Sequence, residues 1–479
     1  MNGKPIRRVL LVVPPTGLYI REDRCQTPIE HMTTVTLRPP IDLLYAGACF
    51  ERGGARCRLV DYPGEGWGRD RLEADLRGFQ PDLALLSITT PGFEDDMAVA
   101  AFIKSVWPGA IVAAKGAHFN TLDREALAQH PALDLALRGE FETACEELAQ
   151  GRAWGEIAGL TFRAEQSRIV RTQDPPFIND LDRLPFPARH LSNNALYIRP
   201  DTGETQTTVI TNRGCPYDCC FCLAGQVAGR RVRARTAENV LDEVEECVER
   251  FGIRNFLFRS DLFTARREWV LEVCRGIRER GLREPGRAIA WSCNSRVDTV
   301  DPDLLEEMKW AGCWIIAFGV ESGDQDTLDR MGKKTDLNAA RRALEMTRRA
   351  GILSSVYFVI GLPWETRETL EANDRFAREI DPDVLEIFYA YPFPGTALYD
   401  EAVGLGLLRA GEVPRQAYDE PAMASLELSR EDLAQARNRA LRRFYLRPGV
   451  VLRTLRRAGS ARAAANYVRY GWRMLKELL

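Results

Sequence analysis

The chain has 479 residues, too many for one ordinary compact domain, and its formal charge of −3 comes from interspersed acidic and basic residues. This balance gives no general attraction to nucleic acid or to another strongly charged partner. No uninterrupted apolar stretch approaches the roughly 20 residues of a membrane span, and the apolar run at residues 9–13 is too short for a secretion signal. We therefore expect a cytoplasmic protein of several domains.

Five short apolar or β-branched runs before residue 150 predict buried parallel strands. These predicted strands are residues 9–13, 57–60, 83–88, 110–114 and 134–137. Stretches of helical character separate them, including residues 42–52 and 95–107. The alternation predicts a doubly wound α/β sheet, whose ligand crevice lies beyond the carboxyl ends of the strands. The small and hydroxyl residues at those ends have two readings, ordinary turn chemistry or a site for a nucleotide-like ligand.

Residues 151–205 predict an extended linker, because prolines recur in the stretch around residues 180–189. A strand at residues 207–211 follows, and Thr236 is positioned to cap a later helix. Between these two elements lies the loop Asn-Arg-Gly-Cys-Pro-Tyr-Asp-Cys-Cys-Phe-Cys at residues 212–222.

Cys215, Cys219 and Cys222 of this loop are separated by three and then two residues. Iron–sulfur clusters take soft thiolate ligands and usually four of them, so three cysteines leave one iron of a [4Fe–4S] cluster without a protein ligand. Three other readings stay open. A zinc site normally has four closed ligands, often as two Cys-x-x-Cys pairs. A structural cluster would need Cys220 or a distant cysteine as its fourth ligand, and buried unliganded cysteines are the third reading.

Six strand-like runs alternate with helical stretches from residue 207 to about residue 400. They are residues 207–211, 256–259, 288–293, 314–320, 354–360 and 384–391. Polar or small residues follow these runs, among them Asp261, Arg296, Glu321 with Ser322, and Gly361. Each taken alone also has a structural reading, as a helix cap, a surface ion pair or a turn.

Residues 401–479 are mostly helical in pattern, and the stretch from residue 439 onward mixes many arginines with aromatic and aliphatic residues. Two readings remain open: a helical cap over the barrel mouth, or a basic amphipathic surface that contacts an anionic membrane. The second reading would favour a lipid or isoprenoid substrate.

The cysteine motif closely resembles that of the radical S-adenosylmethionine (SAM) enzymes. Residues 5–150, ahead of the motif, resemble the cobalamin-binding domain of the B12-dependent subfamily. The resemblance implies that the amino and carboxylate groups of SAM bind the open iron and that one electron converts SAM into methionine and a 5′-deoxyadenosyl radical. It also implies a cobalamin-binding domain over residues 1–150, a linker over 151–205, a partial (β/α)6 barrel over 206–400 and a helical region over 401–479.

The same resemblance assigns roles to individual residues. For SAM it implies Asp261 near the amino end, Arg296 with Glu321 and Ser322 near the ribose and carboxylate, and Phe221 and the Gly361 turn near adenine. For the cobalamin tail it implies contacts from Ser87, Thr89, Gly116 and His118. The first strand-to-helix loop lacks an Asp-x-His-x-x-Gly triplet, so the resemblance implies cobalamin without a protein imidazole on cobalt. His31, in the same loop, is more typical of a solvated side chain than of a ligand.

The leading hypothesis is a cobalamin-dependent methyltransferase that acts on an unactivated carbon of a small-molecule or lipid-like substrate. It would use SAM twice and an electron donor such as flavodoxin or ferredoxin. Two alternatives stay open: a ring-forming or rearranging enzyme with the same cofactors, and a cobalamin-binding or redox-sensing protein whose cluster is not catalytic. Methyl-labelled SAM would separate the two enzymes, and a sensor would form no 5′-deoxyadenosine.

Overall fold

The computed structural model describes residues 3–23, 25–29, 37–199, 201–415 and 420–456. The N-terminal part is a seven-stranded sheet with helices on both faces, plus a two-stranded hairpin. Its strands are β1 (Arg8–Val13), β2 (Tyr19–Glu22), β3 (Cys25–Pro28), β4 (Arg56–Asp61), β5 (Leu83–Ser87), β6 (Ile111–Lys115), β7 (Leu135–Leu137), β8 (Leu160–Arg163) and β9 (Ile169–Arg171). Its helices are α1 (Ile41–Arg52), α2 (Arg69–Phe79), α3 (Phe93–Val106), α4 (Asp123–Gln129) and α5 (Glu142–Gln150).

The large sheet has the order β4-β1-β5-β6-β7-β8-β9, and its first five strands are parallel. If these five strands are numbered along the chain, their order across the sheet is 2-1-3-4-5. This is a doubly wound arrangement with its switch point between β1 and β5. Val9 and Leu11 pack on the α1 and α5 face, whereas Leu10 and Val12 pack on the other face. A strand buried on both faces needs a continuous apolar run. The predicted α/β class is therefore confirmed.

Two short pieces of this sheet and the hairpin were not predicted from the sequence. Strands β8 and β9 pair antiparallel to β7 and to each other, inside the stretch predicted as a linker. The β2–β3 hairpin lies in the loop between β1 and α1. Strands of three or four residues are too short to show a clear alternation of apolar and polar side chains. The domain boundaries at residues 150, 205 and 400 stay a prediction.

The second sheet has six parallel strands in chain order, which form the partial barrel. Its strands are β10 (Gln206–Ile210), β13 (Asn255–Arg259), β14 (Ala290–Ser295), β15 (Cys313–Glu321), β16 (Leu353–Ile360) and β17 (Val384–Tyr389), and a small ladder joins β11 (Asn212–Arg213) to β12 (Arg233–Ala234). The helices of this part are α6 (Ala224–Val227), α7 (Ala237–Phe251), α8 (Arg267–Glu279), α9 (Pro302–Trp310), α10 (Gln325–Arg330), α11 (Leu337–Arg349), α12 (Arg367–Ile380), α13 (Ala397–Gly404), α14 (Arg430–Tyr445) and α15 (Pro448–Arg456).

All six strands predicted after residue 206 are present, with ends that differ by a few residues. Thr236 caps α7 as expected, because its hydroxyl accepts a hydrogen bond from the Asn239 amide at 3.2 Å. In the described ranges, none of the helices has the length and apolar character that crossing a bilayer requires.

Candidate functional site

A cavity of about 990 Å³ occupies the interior of the barrel. At the carboxyl ends of the strands, its wall includes the cysteine loop. The N-terminal domain contributes the β2–β3 hairpin, through Ile20, Glu22 and Thr27, together with Arg38 and Pro39. Both halves of the chain therefore contribute to the wall of one cavity.

The three motif cysteines line this cavity, and each is partly exposed. Cys220 does not line it. Its side chain packs against an apolar cluster that includes Met331 and Leu398. In the part of the chain that the structure describes, no three His, Cys, Asp or Glu side chains lie close enough to hold a single metal ion. The fit to a cluster rests on the three thiols, which share one wall of the cavity.

The cysteine loop is fixed by contacts on both sides of its first ligand. The Gly214 amide donates to the carboxylate of Asp261, at the end of β13. Gly214 has a φ of +94°, and a Cβ there would lie 2.0 Å from the carbonyl oxygen of Arg231. Only glycine tolerates this combination of φ and close approach. The Cys215 amide donates to the Gly229 carbonyl at 3.1 Å. Asp261 thus lines the cavity and also positions the loop, and its predicted place near the amino end of SAM stays a proposal.

Arg296 lines the cavity, but most of its guanidinium donors are already used. It forms a two-bond pair with Asp298 at 2.7 and 2.8 Å. It also donates to the carbonyls of Lys333 and Lys334 at 2.9 and 3.0 Å. Its guanidinium lies 3.7 Å from the ring centre of Tyr217, within the cysteine loop. Arg296 therefore anchors that loop to the segment after α10, and its predicted contact with SAM stays a proposal.

Glu321 faces the cavity from a strained position at the end of β15. Its φ is +69°, beside an irregularity in the pairing with β16. Its carboxylate accepts from the Lys333 ammonium at 2.7 Å, and Lys333 also lines the cavity although only 7% of it is exposed. Burial lowers the pKa of Lys333, but the charges of Glu321 and Cys219 and the hydrogen bond to Glu321 together outweigh it, so the pKa of Lys333 is raised. Strain of this kind is concentrated at functional sites.

Ser322 and Gly361, predicted near SAM, are not among the residues that line the cavity. The Ser322 hydroxyl is buried and donates to Asn373 of α12 at 3.0 Å. Gly361 has a φ of +82°, and its amide donates to the buried carboxylate of Glu365 at 3.2 Å. The Glu365 carboxylate also accepts from the Thr369 hydroxyl at 2.5 Å. Ser322 thus fastens β15 to α12, and Glu365 fixes the Gly361 turn. Phe221, in contrast, lines the cavity.

Glu365 gives the fold a pH dependence that can be measured. Burial raises its pKa from 4.5 to about 7, although hydrogen bonds from Thr369 and Gly361 oppose the shift. Because the pKa is higher in the fold than in the unfolded chain, the stabilisation is fully present below pH 4.5 and is lost as the pH rises through about 7. The loss amounts to roughly 3–4 kcal/mol, at about 1.4 kcal/mol per pKa unit.

We expect Glu365→Gln to remove this dependence, since the amide does not ionise. Relative to the wild type, the variant should gain thermal stability between about pH 5 and about pH 8.5. Differential scanning calorimetry of the variant and the wild type at both pH values measures the difference in stability between the two proteins. The contributions of all other titrating groups cancel, because both proteins contain them. Glu368→Gln on the exposed face of α12 is the matched control and should show no such change. A constant difference between the Glu365 variant and the wild type would contradict the assignment.

Buried ion pairs join the barrel to the N-terminal domain beside the cavity. Arg259, at the end of β13, lies 3.1 Å from Glu22 of the hairpin and 3.5 Å from Asp42 of α1. The Lys115 ammonium donates to the same Asp42 carboxylate at 2.7 Å. Burial would raise the pKa of Asp42, but the charges of Lys115 and Arg259 outweigh it and lower that pKa to about 2. Asp42 therefore stays ionised and holds the two domains together.

A second set of ion pairs holds the cysteine loop itself against the N-terminal domain. Arg213, two residues before Cys215, pairs with Glu142 and lies 3.3 Å from Glu140. Arg233 donates to both carboxylate oxygens of Glu140, at 2.7 and 2.9 Å. Such two-bond pairs fix orientation as well as distance. The position of the loop is therefore set by the domain that faces it.

The four residues predicted to contact cobalamin lie together at the carboxyl ends of β5 and β6. Ser87 ends β5, and Thr89 follows it, with its hydroxyl accepting from the Gly92 amide at 3.1 Å. Gly116 follows β6 with a φ of +153°, and a Cβ there would lie 2.8 Å from the carbonyl oxygen of Ile88. His118 stacks on Phe93 at 4.0 Å. None of the four lines the barrel cavity.

His118 is the one imidazole among these predicted contacts, and it is 6% exposed. Burial lowers its pKa to about 3, and nearby His130 adds to the shift. Its buried Nδ1 has no hydrogen-bond partner among the described residues. A neutral imidazole with an orphaned nitrogen fits a site that a further polar group completes. His31 lies outside the described residues.

The crevice at the switch point between β1 and β5 contains the side chain of Arg21. This arginine pairs with buried Asp96 of α3 at 2.7 Å and donates to the Ser87 carbonyl at 2.9 Å. A second nitrogen of the Arg21 guanidinium donates to the Thr16 hydroxyl at 2.7 Å. The hairpin is therefore tied down over the strand ends, and its other side forms the cavity wall.

Sequence reasoning missed Lys333, Arg259 and Glu365. Arg259 is the last residue of a predicted strand, so the rule that strand ends face the site could have found it. Lys333 follows a helix rather than a strand, and no local pattern separates it from a surface lysine. Glu365 lies four residues beyond the Gly361 turn, a spacing that a carboxylate can bridge.

Residues 209–377 match the Radical SAM superfamily, and residues 33–149 match the B12 binding domain. An uncharacterized methyltransferase of Pyrococcus horikoshii is 28% identical over 455 residues, which are 94% of this chain and 95% of that protein. The anaerobic magnesium-protoporphyrin IX monomethyl ester cyclase of Cereibacter sphaeroides is 28% identical over 422 residues, which are 85% of this chain and 67% of that one. The cobalamin-dependent SAM radical enzyme OxsB, solved with aqua-cobalamin and SAM bound, has the same fold. Its TM-score is 0.72 at 16% identity, over 99% of this chain and 72% of that chain.

Proposed function

The chain belongs to the cobalamin-dependent radical SAM enzymes, and on that premise we propose that it methylates an unactivated carbon of a small-molecule or lipid-like substrate. The observation that carries the proposal is the single cavity that the cysteine loop, the barrel strands and the hairpin of the N-terminal domain enclose together. When bound, the cluster with SAM supplies a radical that removes hydrogen, and cobalamin supplies a methyl group.

The residues of this chain have holding and orienting tasks in that reaction. Cys215, Cys219 and Cys222 would hold the cluster. Glu321 and Lys333 present a paired carboxylate and ammonium at the same wall, which suits the two charges of an amino acid group. The Gly361 turn, fixed by Glu365, lies beyond the end of β16 as a candidate support for adenine.

Across the cavity wall from the barrel, the cobalamin tail would be held within the N-terminal domain by Ser87, Thr89, Gly116 and His118. The β2–β3 hairpin of the same domain then lies between these residues and the barrel interior. Walls from both domains exclude water and limit the distance between reacting groups. The buried pairs of Arg259 and Arg213 fix this geometry before substrate arrives.

The share of each relative's length that the match covers favours methylation over the two alternatives. The methyltransferase from Pyrococcus horikoshii matches nearly end to end, whereas the cyclase extends well beyond the matched part. The cyclase still supports a ring-forming or rearranging reaction as the second candidate. An electron donor such as flavodoxin or ferredoxin and a cytoplasmic location belong to the same proposal.

In the C-terminal region, the end of α14 and helix α15 pack at the amino ends of the barrel strands, and not over the mouth at the carboxyl ends where the helical-cap reading would place them. Arg447 and Arg453 both pair with Asp381, at 2.7 Å in each case, and the Tyr445 hydroxyl donates to the Leu385 carbonyl at 2.8 Å. These arginines are thus bound to the barrel. Membrane contact through the following residues remains part of the proposal, because 457–479 lie outside the described residues.

The test uses anaerobically reconstituted enzyme with cobalamin and SAM that carries a deuterated methyl group. With a chemical reductant we expect 5′-deoxyadenosine, and mass spectrometry of the extracted cobalamin should show the labelled methyl group. 5′-Deoxyadenosine without label on cobalamin would favour the ring-forming alternative. Neither product would contradict both enzymatic readings and favour a sensor.

A further inference from the structure

The barrel cavity extends along the whole height of the strands. On β16, the side chains of Leu353, Ser355, Tyr357 and Val359 all line it, from the first residue of the strand to near the last. The alternate residues, such as Phe358, pack outward against the helices. At about 3.3 Å per residue, the lined stretch of β16 is roughly 20 Å long.

This interior is open because several inward-facing residues are small. Thr208, Ser292, Ala317, Gly319 and Ser355 line the cavity, each on a strand of the barrel. In a closed eight-stranded barrel, by contrast, bulky branched side chains fill the interior in layers. The small residues leave a passage where such layers would otherwise lie.

The passage reaches the surface at the amino ends of the strands, opposite the cysteine loop. Leu446 and Val451 line the cavity there and are 51% and 44% exposed. Tyr445 and Val450 of α14 and α15 line the same end. Helix α15 therefore forms an apolar part of the rim of a second mouth. The same end is also lined by Asp201, Asp383 and Thr454.

The walls between the two ends are mainly apolar, with Leu257, Ile315, Tyr357, Val384 and Phe388 among the lining residues. Apolar walls favour a hydrocarbon, because each CH₂ group removed from water contributes roughly 0.8 kcal/mol. Polar groups of Ser292, Ser355 and Glu386 interrupt this lining, but most of the passage is lined by apolar surface. An extended chain would fill it along its length.

We propose that the barrel interior is a tunnel for an elongated, mostly apolar substrate chain, such as an acyl or isoprenoid chain, which enters beside α15. The inference rests on the proposed function, since it places the reacting carbon at the cysteine end and the rest of the chain below it. It narrows the substrate to a lipid-like class.

The test uses the holoenzyme without reductant and a long-chain alcohol that carries a photoreactive diazirine in mid-chain. After irradiation and digestion, we expect the cross-links in peptides that contain the inward faces of β15, β16 and β17, with additional cross-links in α15. Cross-links confined to other surfaces, or no cross-links, would overturn the proposal. Cross-linking without reductant requires no catalytic turnover, so a failure to cross-link would not affect the methylation proposal. Likewise, a negative methyl-label test would not affect the cross-linking result.

Two plugging variants and a control sharpen the result. Ser355→Phe and Leu353→Trp place a large side chain in the lower passage, and each should reduce cross-linking at least about ten-fold, equivalent to about 1.4 kcal/mol of binding. Ala128→Trp adds the same bulk on the exposed face of α4 and should change nothing. Circular dichroism of each variant verifies folding. Unchanged cross-linking in a folded plugging variant would contradict the tunnel.

Discussion

Replacing Cys219 by alanine should abolish the reductive cleavage of SAM. We expect 5′-deoxyadenosine formation to fall by about three orders of magnitude or more, and bound iron to fall with it. The physical reason is that Cys219 is one of the three motif thiols at the cavity wall, so its loss leaves two irons without protein ligands. Iron analysis and quantitation of 5′-deoxyadenosine in anaerobic protein check the expectation.

Cys220→Ala is the matched control, one residue away in the same loop. Its amide donates to the Met331 carbonyl at 2.9 Å, and its carbonyl accepts from the Leu398 amide at 3.0 Å, so the backbone there is held without the sulfur. We expect iron content and 5′-deoxyadenosine to stay within about two-fold of the wild type, a change of less than about 0.5 kcal/mol. A loss as large as that of Cys219→Ala would show that Cys220 is a ligand and that the cluster has no open iron.

Glu243→Gln should destabilise the protein by about 3–5 kcal/mol, the cost of leaving a buried charge unpaired. The Glu243 side chain is fully buried in α7 between Arg189 and Arg235. Arg189 comes from the segment that joins the two domains, and it also donates to the Thr208 carbonyl at 2.7 Å. Removing the carboxylate charge leaves two buried guanidinium groups without a counter-ion. The midpoint of thermal unfolding should therefore fall by several degrees or more.

Glu246→Gln, one turn along the same helix, is the control for that measurement. Its partner Arg250 is largely exposed, and exposed pairs contribute less than about 1 kcal/mol. Scanning calorimetry of both variants separates buried from exposed charge within one helix. Equal effects of the two substitutions would contradict the role of Glu243 as the link between the joining segment and the barrel.

The parts of the fold that could be predicted are those with a local signal. Parallel strands buried on both faces give continuous apolar runs, as at β1 and β5, and the amphipathic helices between them fix the alternation. The cysteine spacing likewise indicates a cluster, because ligand identity and spacing are both contained in eleven residues. These features need no knowledge of distant contacts.

The rest depends on contacts between residues far apart in sequence. Arg296 follows β14, and the sequence does not indicate that its guanidinium donates to the carbonyls of residues 333 and 334, after α10. Ser322 likewise follows a barrel strand, but its hydroxyl binds Asn373. The β2–β3 hairpin forms a wall of the cavity although its strands have four residues each. Tertiary pairing, rather than local periodicity, decides each of these cases.

The most direct test of the whole account is electron paramagnetic resonance of the reduced, anaerobic protein, with SAM whose amino nitrogen and carboxylate oxygens carry isotopic labels. If an open iron binds SAM, the protein should contain one cluster with about four irons per chain, its spectrum should shift when SAM is added, and the labelled atoms should show hyperfine coupling. A cluster whose spectrum ignores SAM, or protein without a cluster, would contradict the account.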